Sequence, residues 1–260
     1  MCVETVRDVT LEERPAEVVY TRQFDEYGNL VAERRGIDQD GRARLIISFQ
    51  YNDHGDLIRE SRDGGADGSV DSVRELVYNS YGKVLQETLD RGLDGKIEIR
   101  RTFHYSGINM VREVVDINDD GKLDEELRYE HDLAGRIIVQ DLDLGADGSI
   151  ELTIRYIWDK SALVEKSLQD DSGESRYRYY YNEVGRRVRA AFYNSLGIME
   201  THEEMRYTDS GLEMNYRRYR GSELEWETTY DYDRAHRRHD ISDFDHGVLV
   251  RDLRFEYECG

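Results

Sequence analysis

Along this chain apolar residues recur at every second position in short runs that end on an aromatic residue. Ala43, Leu45, Ile47, Phe49 and Tyr51 form one such column, and Ile150, Leu152, Ile154, Tyr156 and Trp158 form another. Ile97, Ile99, Arg101, Phe103 and Tyr105 keep the spacing with one charge admitted, as do Leu123, Glu125, Leu127, Tyr129 and His131. A period of two is that of a β-strand with one buried face, because successive side chains point to opposite sides of the sheet. The closing aromatics fall at Phe24, Tyr51, Tyr78, Tyr105, His131, Trp158, Tyr181, Tyr207, Tyr232 and Tyr257, at intervals of 23 to 27 residues. Such regularity marks a tandem array of about nine copies, each about 26 residues long.

Each copy reads as a hairpin. Four residues after most anchors comes a glycine (Gly28, Gly55, Gly82, Gly135, Gly185, Gly211), and two further on an apolar residue opens the next strand, as in Leu30, Leu57, Val84 and Ile137. That strand and the following column are joined by acidic turns carrying Asp40-Gly41, Asp67-Gly68, Asp94-Gly95, Asp120-Gly121 and Asp147-Gly148, where glycine supplies the positive φ of a tight turn. The expectation is an all-β meander of roughly eighteen strands: residues 1–19 as a lead-in or cap, 20–257 as the array, 258–260 as a tail. At about 4.8 Å per strand such a sheet would be about 85 Å wide, more than a twisted open sheet sustains, so it is expected to be coiled, spiral or partly closed.

The segment Arg128-Tyr129-Glu130-His131-Asp132-Leu133-Ala134-Gly135-Arg136-Ile137 resembles the RYxYDxxGRL core of the YD, or RHS, repeats, and Phe103–Ser106, Tyr179–Arg186 and Tyr230–Asp233 echo parts of it. The resemblance extends over residues 20–257. It implies a secreted or surface-exposed β-sheet spiral; long members of that family enclose toxin cargo or form recognition shells. This chain has too few copies to enclose much and lacks the Pro-containing motif and distinct toxin domain of a self-cleaving carrier, which favours a short surface module over a shell fragment.

Composition narrows the partners. A net charge of −20 disfavours nucleic acid, whose binding depends on Lys and Arg displacing counterions from phosphates. Charged residues at 35% would suit a disordered chain, but periodic placement of the aromatics, 19 tyrosines among them, argues for order. No apolar run approaches the roughly 20 residues of a transmembrane helix. The only cysteines, Cys2 and Cys259, stand at opposite ends and offer neither a disulfide framework nor a zinc site. A start at Met1-Cys2 also suits a lipid anchor on Cys2, as in a mature bacterial lipoprotein.

The acidic turns are the sharpest chemical candidate. Asp116, Asn118, Asp120 and Asp124 follow the DxNxDGxxD spacing of calcium loops, in which alternate side chains converge on the ion and a glycine at position six allows the sharp turn. Asp63, Asp67 and Asp71, then Asp90, Asp94 and Glu98, then Asp143, Asp147 and Glu151 form thinner sets with glycine at position three. The alternative for all four is a plain Asp-Gly turn with solvated or Arg-paired acids. Tyr180, between Tyr179 and Tyr181, is expected on the opposite face from both and is a candidate glycan contact. The group His236, His239, Asp240, Asp243, Asp245 and His246 offers ligand types for a metal, although His236 replaces the turn glycine of a terminal hairpin. With 56 acids no pair stands out for glycoside hydrolysis, and no nucleophile, phosphate-loop or zincin motif is present. The expected function is therefore non-enzymatic: a surface or secreted scaffold, adhesion or recognition module with calcium as its candidate cofactor. Its expected partner is a surface protein or glycan; a glycan hydrolase is the least supported reading.

Overall fold

The computed structural model describes residues 2–10, 17–38 and 40–259, without the side chains of Cys2, Glu17 and Cys259. The chain divides into two compact units, residues 1–126 with 253–260, and residues 127–252. In chain order the first unit contains β1 (Cys2–Asp8), β2 (Glu17–Phe24), β3 (Leu30–Arg35), β4 (Leu45–Tyr51), β5 (Leu57–Gly64), β6 (Ser72–Tyr78), β7 (Val84–Arg91), β8 (Ile99–Ser106) and β9 (Asn109–Ile117). After β10 (Glu125–His131) come β11 (Ile137–Leu144), β12 (Leu152–Asp159), β13 (Ala162–Asp170), β14 (Gly173–Tyr181), β15 (Arg187–Tyr193), β16 (Met199–Tyr207), β17 (Glu213–Arg220), β18 (Glu223–Tyr232), β19 (Arg238–Asp245) and β20 (Val248–Cys259).

Consecutive strands pair antiparallel from β1 to β9 and again from β11 to β19. Within the first unit β1 pairs on its other side with the end of β20, from Cys2↔Cys259 to Asp8↔Leu253. The coarse expectation of an all-β hairpin array holds, and β1 is paired on both of its sides, with β2 and with β20. Eighteen strands fill the intervals between ten anchors, and the two that precede them, β1 and β2, make twenty. No helix of the described residues is long and apolar enough to cross a membrane.

Two local devices recur at the anchors. First, the residue after the aromatic accepts backbone N–H groups two and four residues on: Asp25 from Tyr27 and Asn29, Asn52 from His54 and Asp56, Asn79 from Tyr81 and Lys83, Asp132 from Ala134 and Arg136. Asp and Asn suit that place because their short side chains reach their own backbone two residues on, and Thr208 does similar work by accepting Leu212 N–H at 3.0 Å. At the last such turn His236 has φ +61°, the left-handed backbone expected for a residue in the glycine position. Second, the polar tip of the anchor donates to a carbonyl at the start of the preceding odd-numbered strand. Tyr51 bonds Leu30 O at 2.8 Å, Tyr78 bonds Leu57 O at 2.7 Å, Tyr105 bonds Val84 O at 2.9 Å, and Trp158 Nε1 bonds Ile137 O at 2.9 Å. Tyr181, Tyr207 and Tyr232 do the same to Leu163, Arg187 and Glu213. A ring that both fills space and donates to a carbonyl is supplied by Tyr or Trp, which accounts for the tyrosines at these anchors.

The column face carries the buried apolar residues Ile47, Leu76 and Val115 in the first unit and Ile154 and Met205 in the second. It also carries buried charge, which the alternation of apolar residues had concealed. In the first unit Glu33 is 3% exposed; Arg22 bridges it to Glu4, at 2.6 and 3.4 Å, and Arg35 bonds it from its own strand. Arg74 likewise joins Glu60 and Glu87, at 3.6 and 2.8 Å, and Arg62 meets Glu60 at 2.7 Å. Burial works against ionisation of Glu33, but hydrogen bonds from Arg22 and Arg35 outweigh it and hold the carboxyl below its usual range.

Candidate functional site

The acidic turns share one hydrogen-bond cage. Asp116 is buried, and its two oxygens accept the N–H groups of Asp120 and Gly121, each at 3.0 Å. Asp120 accepts from Lys122 at 2.9 Å, and Asp124 from Ile117 at 2.6 Å. The pattern repeats with Asp143 receiving Asp147 and Gly148, Asp147 receiving Ser149, and Glu151 receiving Leu144. It repeats again with Asp63 receiving Asp67 and Gly68, Asp67 receiving Ser69, and Asp71 receiving Gly64. In the remaining turn Asp94 receives Lys96 and Glu98 receives Arg91, while Asp90 Oδ1 is buried without a partner among the described residues.

Position three is a backbone requirement. Gly65, Gly92 and Gly145 have φ between +83° and +94°, and Asn118, the residue that completed the calcium pattern, has φ +67°. Asn tolerates that left-handed conformation better than most residues. Arg100 grips the neighbouring Asp119 through two bonds at 2.5 and 2.7 Å and holds it below the usual carboxylate range. The carboxylates thus point at amides of their own loop, and among the described residues no three or more His, Cys, Asp or Glu side chains are grouped to hold a metal ion. Amides of the same loop supply partners for these acids, as in a hydrogen-bonded turn.

The second unit departs from this scheme between β13 and β16. The turn after β13 is cut to Asp170–Gly173, and the turn after β15 is an aromatic-Asn-x-x-Gly element, Tyr193–Gly197, at the strand end where earlier copies carry acidic loops. Asn194 accepts Leu196 and Ile198 N–H at 3.0 Å each, the same device as at Asn52. Sequence reading passed over Tyr193 because it breaks the 26-residue interval, although its Tyr-Asn-x-x-Gly signature was present. Gly173 lies against this turn: at φ +120°, a Cβ there would stand 3.0 Å from Ser195 Cβ.

A cleft of about 350 Å³ opens beside these turns, lined by Arg176, Arg178, Tyr193 and Asn194 among others. Register places Arg176 opposite Tyr193, Arg178 opposite Ala191, and Tyr180 opposite Arg189, so Tyr180 and the arginines share the cleft's face. Tyr180 is 43% exposed, while Tyr179 and Tyr181 are half-buried. The guanidinium of Arg178 lies 5.4 Å from the Tyr193 ring centre and that of Arg189 lies 5.8 Å from Tyr180. Arg178 is held by Glu165 at 2.9 Å and Arg176 by Glu174 at 2.6 Å. Burial, then a hydrogen bond with Tyr180, push the Tyr193 phenol up, so it stays protonated and able to donate. Rings flanked by fixed guanidinium groups can stack on a ligand's apolar face and hydrogen-bond its anionic groups.

The terminal histidines do not converge. Asp243 is buried and bound by Arg251 at 2.6 Å and Thr228 at 2.7 Å, while His239 pairs with Asp240 and His246 with Asp245. The expected lipid anchor concerns the Cys2 side chain, which lies outside the described residues.

No family model matches the chain, and no curated protein matches it. Among solved structures it is similar to a porin-like protein from Bacteroides uniformis, at 11% identity and TM-score 0.40, covering 99% of this chain and 97% of that one. It is also similar to the TcdB2-TccC3-TEV structure, at 13% identity and TM-score 0.34, over 92% of this chain. A third is TcdB2-TccC3, at 11% identity and TM-score 0.36, over 97% of this chain. The chain spans 14% and 19% of the length of those two.

Proposed function

We propose that this chain is a non-enzymatic recognition protein of the cell surface or secreted space, a YD-type repeat scaffold whose ligand face is the β14–β15 cleft. The carrying observation is that the exposed Tyr180, Arg176 and Arg178 share one face with the half-buried Arg189, on a chain whose net charge is −20. Cationic groups concentrated on so acidic a chain are a local feature. Phenol faces suit sugar rings and guanidinium suits carboxylate, so the ligand class is an acidic saccharide. The hydrogen-bonded turns supply rigidity, which lowers the ordering cost of binding.

Calorimetric titration with uronic-acid oligosaccharides, against neutral oligosaccharides of equal length, tests this. Binding is expected for the acidic series alone, weakened about tenfold or more in Tyr180→Ala and in Arg178→Ala, a loss of about 1.4 kcal/mol. Equal binding of both series, or of neither, would overturn the assignment.

A further inference from the structure

The register of β1 against β20 brings together the chain's only two cysteines. Seven successive pairs run without a shift from Cys2↔Cys259 to Asp8↔Leu253, so the pairing of these two positions belongs to a continuous ladder. The ladder is pinned by Val6, which is fully buried and opposite Phe255, and by the Arg7–Glu256 ion pair at 3.1 Å. A slip of one residue would turn Val6 to the other face. Facing residues of an antiparallel pair have Cα atoms about 4.5 or 5.5 Å apart, inside the roughly 4.4–6.8 Å that a disulfide spans.

We propose that Cys2 and Cys259 form a cross-strand disulfide that locks β1 against β20. The step is thiol–disulfide exchange with an external disulfide, either oxidised glutathione or an oxidoreductase of the oxidising compartment. One cysteine thiolate attacks that disulfide and expels a thiol; the second then attacks the mixed disulfide and expels the other. Two protein thiols are oxidised, one external disulfide is reduced to two thiols, and no other electron acceptor is needed. The inference is independent of the ligand assigned to the cleft, and it excludes an acyl group on Cys2.

The test equilibrates the full chain, folded, with oxidised glutathione, then denatures it and alkylates with a maleimide, with and without prior reduction. No reactive thiol before reduction and two after it are expected, with proteolysis yielding one linked peptide pair containing Cys2 and Cys259. Two alkylatable thiols after equilibration would overturn the proposal, as would a disulfide found only between two chains or an acylated Cys2. Reduction of the wild-type protein is expected to lower its thermal midpoint, while Cys259→Ser, already at the lower midpoint, should not respond to reductant. An unchanged wild-type midpoint would show that no clasp joins β1 to β20.

Discussion

The two units build the same strands and turns but furnish the column face differently. In the first unit the face is crossed by ion pairs, Glu4–Arg22–Glu33 and Glu60–Arg74–Glu87. In the second it is crossed by rings: Tyr177 lies 4.9 Å from Phe192, Lys166 sits over Tyr156, Arg187 over Tyr179, and Tyr216 bonds Glu203. What the units share lies at the strand ends, in the carboxamide and carboxylate turns and in the anchor-to-carbonyl bonds. The hairpin is therefore specified by its ends, and the face between them is free to vary in chemistry. The second unit also replaces acidic loops with short turns, and the cleft opens at that substitution.

The largest effect should come from striking what the units share. Asp63→Ala in one and Asp143→Ala in the other each leave two loop amides unsatisfied, and each is expected to lower unfolding free energy by about 3 kcal/mol in urea melts. A difference next breaks the symmetry. Arg74→Ala takes the bridging cation from Glu87 and leaves Glu60 to Arg62 alone, and is expected to cost about 2 kcal/mol, whereas Lys166→Ala, which removes only a cation over Tyr156, costs under about 1 kcal/mol. Equal losses would sink the distinction between the faces. Smaller again, Tyr78→Phe and Tyr207→Phe each remove one anchor bond and should cost about 1 kcal/mol in either unit.

Acid separates the copies more finely. Asp132 is held below the usual carboxylate range by Arg136 and loop amides, Asp233 by the Arg237 amide and then its side chain, and Asp25 by Asn29. A depressed carboxyl contributes stability that is complete above its unfolded pKa of about 3.9 and is lost as pH falls through the lower folded value. Asn52, Asn79, Asn182 and Asn194 do the same work without titrating. A triple Asp25→Asn, Asp132→Asn, Asp233→Asn variant should thus lose less stability between about pH 4 and pH 2 than the parent, as read by acid titration of circular dichroism; an identical acid profile would contradict the capping role. The smallest expected effect is that of calcium: added to chelator-treated protein it should leave the thermal midpoint unchanged, and a rise abolished by Asp116→Ala would reinstate the ion.

Much of this architecture was legible because its determinants are local. Anchor, Asx residue and glycine lie within five positions of one another, and the alternation of Ile47, Phe49 and Tyr51 names its own face. The pairing of β1 with β20 was not legible, since nothing near Cys2–Asp8 announces a partner so distant in sequence. Nor were the ion pairs: Glu33, Glu60 and Glu87 each stand nine residues after an anchor, a signal hidden while only apolar members were counted. The acidic pattern is ambiguous for a different reason, because a loop that turns around its own amides needs the same acids at the same spacing as one that turns around an ion. For Tyr180 the alternation placed the ring on the correct face, but the arginines beside it come from the register of β14 with β15.

The pairing of β1 with β20 also separates two time scales. Consecutive strands join residues close in sequence and can zip up one hairpin after another, whereas β1 and β20 must find each other across the whole polymer. Loop-closure entropy is greatest for that contact, and topology-limited folding would leave it until last. An almost complete meander, with its first and last strands still unpaired, is then the expected late folding intermediate and the species most open to pairing with a second chain.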